Sequence, residues 1–139
     1  EEYNYADNQV TRLWGTATPK RLEDEDAVDE DGNNILDEDG NQVINYGLKT
    51  IKKRIIKQQA SGLLAPTDWY VVKATEVEDY NVPENITTYR ADVRAKSNEM
   101  ESQIDACNNV DELKALYEYT RQEDGTQTRP LAEFPKEVV

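Results

Sequence analysis

The chain has 139 residues, with 29 Asp plus Glu against 16 Lys plus Arg, a formal charge of −13, no histidine and one cysteine. So large a deficit of cations argues against nucleic acid and against an anionic membrane surface as partners. Without histidine there is no His-based acid–base, Ser-His-Asp or Cys-His catalysis and no His-ligated metal, and Cys107 alone cannot form an intrachain disulfide.

Leu, Ile, Val and Phe together make 28 residues. At this net charge that content lies near the compositional border with disorder, so a partner or oligomer is expected to complete the core. No apolar run approaches the length of a membrane span, and no secretory signal pattern appears. The start at Glu1-Glu2 reads as a fragment or a processed form. A chain so poor in catalytic residue types reads as a structural or interaction protein, not an enzyme, with no cofactor.

Residues 1–22 look extended. Tyr3, Tyr5, Val10, Leu13 and Trp14 favour one or two short strands, broken by Gly15 and Pro19. The acidity then concentrates: residues 23–39 hold ten carboxylates and no Lys or Arg, leaving 19 acids against 16 bases elsewhere. Inside this stretch, Asp29-Glu30-Asp31-Gly32-Asn33-Asn34-Ile35-Leu36 is followed at once by Asp37-Glu38-Asp39-Gly40-Asn41-Gln42-Val43-Ile44, a repeat of period eight. Asp-Gly supplies the positive-φ residues of a tight hairpin turn. The pattern predicts a three-stranded meander of very short strands, completing an N-terminal region over 1–46.

A helical module is expected over 47–120. Gly47 punctuates the change, and Leu48, Ile51, Ile55 and Ile56 predict a helix over 48–62. Its other face is basic (Lys49, Lys52, Lys53, Arg54, Lys57), and Gly62 suits its C-cap. Pro66 breaks the pattern, and Thr67 or Asp68 caps a short helix that starts at Trp69. A loop over 76–82 ends at Pro83, which fits the first position of a helix. The strongest helical signal follows over 84–107, where Ile86, Tyr89, Val93, Met100, Ile104 and Cys107 make one stripe, with Ser97 in its middle gap. Asn109 and Glu112 form a capping box for a helix that buries Val110, Leu113, Leu116 and Tyr117. Residues 121–139, with Asp124-Gly125, Pro130 and Pro135, predict an extended arm. The expected fold class is α+β: short N-terminal strands and hairpins followed by a three- to four-helix module.

The candidate sites each have a structural alternative. Asp29, Asp31, Asp37 and Asp39 bring hard oxygen ligands together, as calcium requires. An EF-hand register ending at Gly32 or Gly40 would, however, put Ala27 or Ile35 at the first ligand position. Solvated hairpin turns are therefore the preferred reading, with no metal site. The acidic stretch and the basic helix at 48–57 are oppositely charged, but exposed pairs contribute only about 0–1 kcal/mol, so two solvated faces are preferred. Trp69 and Tyr70 suit an interface anchor, although a core position at a helix junction is preferred for Trp69, with Asp68 as a helix cap. The stripe of Ile86, Tyr89, Val93, Met100 and Ile104 needs a covering surface: the chain's own helices, or the same helix of symmetry mates in a trimer or ring. Cys107 reads as a packing residue. Carboxylate pairs are numerous, but so short a chain with few aromatics leaves little room for a glycosidase cleft.

Residues 51–119 carry a resemblance. A basic helix leads into Leu63-Leu64-Ala65-Pro66-Thr67-Asp68-Trp69, and a helix with Tyr89-Arg90-Ala91-Asp92-Val93-Arg94 follows. This order resembles the C-terminal helical module of bacteriophage tail assembly chaperones and tail-fibre-associated proteins. The match rests on Leu63, Leu64, Thr67, Asp68 and Trp69, then on Tyr89, Arg90, Val93 and Arg94. It covers about half the chain and leaves the acidic repeats outside. The resemblance implies a non-enzymatic virion protein of the tail-fibre or baseplate region, assembled in the host cytoplasm and acting on other tail or fibre proteins. A homo-oligomer or a larger assembly is then expected. One alternative is a tail-fibre assembly chaperone that is not retained in the virion. A second is a small calcium- or glycan-binding adhesion module.

Overall fold

The computed structural model describes residues 2–6, 9–13 and 19–138. The fold is α+β. Strands β1 (Glu2–Ala6) and β2 (Gln9–Leu13) pair antiparallel, with Glu2 opposite Leu13 and Ala6 opposite Gln9. Trp14 and Gly15, which the sequence reading also used, lie outside the described residues.

The eight-residue repeat folds differently from a meander. Strands β3 (Glu25–Asp26) and β4 (Ile44–Asn45) pair antiparallel, so the first and last arms of the segment meet. Between them, Ala27 N–H donates to Val43 O (2.8 Å), Val43 N–H to Ile35 O (2.9 Å) and Ile35 N–H to Ala27 O (2.9 Å). The three residues are one repeat length apart and close a triangle of backbone hydrogen bonds. Bridges Val28–Asn34 and Leu36–Gln42 begin the two hairpins that leave the triangle. The physical reason is economy of backbone partners. Each repeat has only a few residues between loops, too few for strands to lie side by side, and a ring satisfies the buried amides instead. Gln42 Nε2 adds bonds to Ala27 O and Val43 O, each at 2.9 Å.

The loops are Glu-Asp-Gly hairpins. Gly32 N–H donates to Asp29 O (3.1 Å), Asp29 N–H to Asn33 O (2.9 Å), and Gly32 takes φ +84°, a type I turn closed by a glycine bulge. Residues 37–41 repeat this geometry, and so do residues 122–126, where Gln122-Glu123-Asp124-Gly125-Thr126 supplies the same turn. The segment expected as an extended arm therefore starts as a hairpin, β5 (Thr120–Arg121) with β6 (Gln127–Thr128). It then becomes a strap across the helices. Leu131 is buried and its N–H reaches Leu116 O (3.0 Å), while the Gln103 amide holds Pro130 O (2.9 Å) and Ala132 N–H (2.8 Å).

Helix α1 (Leu48–Leu64) does not end at Gly62. It runs on through a 3-10 turn (Ala65–Thr67) into α2 (Asp68–Glu76). Leu63 and Leu64 pack against a cluster of Ala60, Tyr89 and Val93, and that contact outweighs the roughly 1 kcal/mol helix penalty of glycine. Pro66 is tolerated because it sits in the first turn of the 3-10 segment. Helix α3 (Glu84–Asp105) returns antiparallel to α1, with Lys53 Nζ 2.7 Å from Asp105 Oδ1 and Lys57 Nζ 3.3 Å from Glu101 Oε2. Pro83 is its N-cap, one residue before the expected position. Packing against α3 turns Ile56 and Ala60 to the core, while Ile51 and Ile55, expected on the apolar face, are each 40 % exposed. Helix α4 (Val110–Tyr117) starts at the expected cap, with Asn109 Oδ1 accepting Glu112 N–H (2.9 Å) and Glu112 Oε2 accepting Asn108 N–H (2.7 Å). The main core joins Ile56, Met100, Ile104, Cys107, Leu113 and Leu131.

The start of α1 is closed by residues far away in sequence. Leu48 and Lys49 N–H donate to Arg21 O (2.9 Å) and Leu22 O (3.1 Å), and Asp24 accepts from Gly47 N–H (2.7 Å) and Thr50 Oγ1 (2.9 Å). Three backbone donors that a helix leaves orphaned at its start are thereby paired. The approach is so close that a Cβ on Gly47 would collide with the Glu23 carbonyl, whereas a Cβ on Gly62 would meet open space. Gly47→Ala is expected to lower unfolding free energy by about 1–3 kcal/mol. Gly62→Ala is expected to raise it by about 0.5–1 kcal/mol. Urea unfolding of both variants checks this, and equal effects at the two positions would refute the wrapped helix start.

Candidate functional site

The two motifs behind the resemblance meet in space. Leu63-Leu64-Ala65-Pro66-Thr67-Asp68 forms the end of α1, the 3-10 turn and the start of α2, and Tyr89-Arg90 lies on α3. Tyr89 Oη donates to Leu63 O (3.3 Å). Arg90 Nη1 lies 3.0 Å from Leu64 O, 2.6 Å from Thr67 Oγ1 and 2.8 Å from Asp68 Oδ1. Thr67 is fully buried, and its hydroxyl donates to Leu64 O at 2.7 Å. The guanidinium thus sits at the carboxyl end of α1, where the helix dipole and the free carbonyls favour a cation. Asp68 is an ion-pair partner, not the cap expected of it, and no side chain caps α2 at Thr67.

Helix α2 itself has no buried residue. Trp69 is 51 % exposed, which corrects the preferred reading of it as core. The reason is that α2 continues α1 past the point where Arg90 meets the turn, and α3 gives it little cover. The Trp69 and Tyr70 rings lie against each other, with centroids 3.8 Å apart and planes at 30°. Lys73 Nζ stands 4.3 Å from the Tyr80 ring centroid and 5.9 Å from that of Trp69. Val71, Val72 and Val77 are exposed as well. The site is an aromatic and aliphatic helix held out in solvent by a polar clasp at its base.

The other candidate residues lie elsewhere. Ile86, Tyr89, Val93, Met100 and Ile104 are buried within the single chain, so α3 does not present an open seam to symmetry mates. Ser97, in the middle of the stripe, is buried too. Cys107 is in the main core, its thiol bonded to Gln103 O at 3.4 Å, and burial pushes its pKa up, as befits a packing residue. Asp29 accepts from Asn33 N–H (2.8 Å), Asp31 N–H (2.9 Å) and Asn33 Nδ2 (3.2 Å), and Asp37 has the same set from Asn41 and Asp39. Backbone donors from Asn33 and Asn41 hold both carboxyls below their ordinary value. These oxygens close their own loops, and among the described residues no three Cys, Asp or Glu side chains converge on a shared cation position. Of the basic helix, Lys49 pairs with Glu23 (2.5 Å), while Lys53 and Lys57 turn to α3. No protein-family model, curated protein or solved structure matches this chain.

Sequence reasoning missed the role of Arg90. The signal available was its type: a lone arginine at a position on the apolar side of a helix, next to Tyr89. Because Trp69 is half in solvent, Trp69→Ala is expected to change unfolding free energy by less than about 1 kcal/mol, against the 3–5 kcal/mol typical of a buried tryptophan. Thermal or urea unfolding checks this, and a loss in the buried range would refute the exposed placement.

Proposed function

We propose that the chain is a non-enzymatic bacteriophage virion protein of the tail-fibre or baseplate region, working through protein–protein contact. The observation that carries this reading is the clasp. Leu63, Leu64, Thr67, Asp68, Tyr89 and Arg90, which bear the resemblance to tail-fibre-associated proteins, are the residues that touch one another there. The resemblance therefore follows a physical unit rather than scattered letters. What the clasp holds up is the half-exposed Trp69 with its neighbouring valines. Tryptophan is over-represented among residues that dominate interface energy, and a neighbouring tail protein is the partner suited to cover it. Among the described residues no helix is long and apolar enough to cross a membrane.

Quantitative mass spectrometry of purified particles tests the reading. A signal at fixed stoichiometry to other tail proteins is the expected result. Abundance in the lysate with absence from particles would overturn it, in favour of a tail-fibre assembly chaperone that is released.

A further inference from the structure

A second surface that the described residues leave open lies on the opposite end of the helical module. Leu48 and Lys52 of α1 and Val110, Leu113, Lys114 and Tyr117 of α4 line a groove of about 240 Å³. Its floor is apolar. Two lysines edge it: Lys52 lies 4.8 Å from the Tyr117 ring centroid, and Lys114 lies 3.4 Å from the exposed Glu118. Ile51 and Ile55, each 40 % exposed, fall one turn from Leu48 and Lys52 and extend the apolar surface along α1. In a chain of charge −13, an apolar groove edged by two lysines selects an occupant that is apolar in the middle and acidic around it.

The chain carries such an occupant. The hairpin triangle exposes Val28 and Leu36, one repeat length apart, at 50 % and 56 %, between loops that carry Asp29, Glu30, Asp31, Asp37, Glu38 and Asp39. These apolar residues remain open to solvent, so the chain's own groove does not cover them. Two bulky side chains exposed on so small a hairpin unit are a burden unless something buries them.

We propose that the groove between α1 and α4 receives the Val28–Leu36 face of a second copy of this chain, with the carboxylates of the hairpin loops set against Lys52 and Lys114. Groove and hairpin face are different surfaces, so the contact is heterologous. Repeated from copy to copy, it builds a ring or a filament according to the rotation between copies.

Sedimentation velocity of the full chain at rising concentration tests this, together with two variants whose folding is checked by circular dichroism. One variant breaks the groove rim (Lys52→Glu with Lys114→Glu). The other breaks the hairpin face (Val28→Ser with Leu36→Ser) at exposed positions outside the helical module. The wild-type chain is expected to self-associate, more weakly as salt rises from about 0.1 M to about 1 M and the Debye length shrinks from ~10 to ~3 Å. Each double variant is expected to weaken association about tenfold or more. Mixed together they keep one intact groove and one intact face, and are expected to form a complex of one copy of each that grows no further. A chain that stays monomeric at every concentration overturns the proposal. So does association that survives both variants, or two association-deficient variants that fail to complement each other, which would assign the surfaces to different partners.

Discussion

One guanidinium ties the junction of α1 and α2 to α3. Arg90 reaches Leu64 O, Thr67 Oγ1 and Asp68 Oδ1, partners on the end of one helix, a 3-10 turn and the start of the next. Helix α2 has nine residues and buries none of them. A helix that short is marginal in water on propensity alone, so its order depends on what is fixed at its ends. All three partners gather around one guanidinium nitrogen, Nη1, and the weak hydration of a guanidinium suits this mostly buried position. Because the Asp68 carboxylate is largely exposed, most of the stabilisation comes from the buried bonds to Thr67 and Leu64 rather than from the ion pair.

The same logic governs the other end of α1. Arg21, Leu22 and Asp24 close its N-terminus, and Lys49, Lys53 and Lys57 run as a ladder to Glu23, Asp105 and Glu101. Both ends of the helix are satisfied from distant sequence, which fixes its position and its rotation. That rotation buries Ile56 and leaves Ile51 and Ile55 half outside. The apolar surface the chain lacks inside is partly the surface it displays, on α2, beside α4 and on the hairpin triangle. Exposed apolar patches of this kind mark surfaces suited to contact with another molecule.

Local signals were readable in the sequence where the physics is local. The stripe on α3 repeats every three or four residues and is buried at Ile86, Tyr89, Val93, Met100 and Ile104. The Asn109–Glu112 cap forms between neighbours. Glycine after aspartate gave the hairpin turns, although each loop uses three residues rather than two. What was not legible depends on distance. Ile51, Ile55 and Ile56 share one apolar stripe in the sequence, and packing against Met100, Ile104 and Leu131, distant in sequence, takes only Ile56 into the core. Burial of Trp69 depends on how far α3 extends beside α2, which no local pattern encodes. The hairpin triangle follows from three segments pairing in a closed ring, while the period of eight alone is equally compatible with a meander. The role of Arg90 was not legible because its partners are more than twenty positions away.

Amide hydrogen exchange of Arg90→Met against the wild-type chain tests the central claim most directly, since it reads α2 separately from the core. The account predicts that amides of residues 69–76 lose their protection in the variant, while those of residues 93–104, anchored by Val93, Met100 and Ile104, keep theirs. Unchanged protection across α2 would contradict it and would mean that the exposed helix is ordered by something other than the arginine clasp.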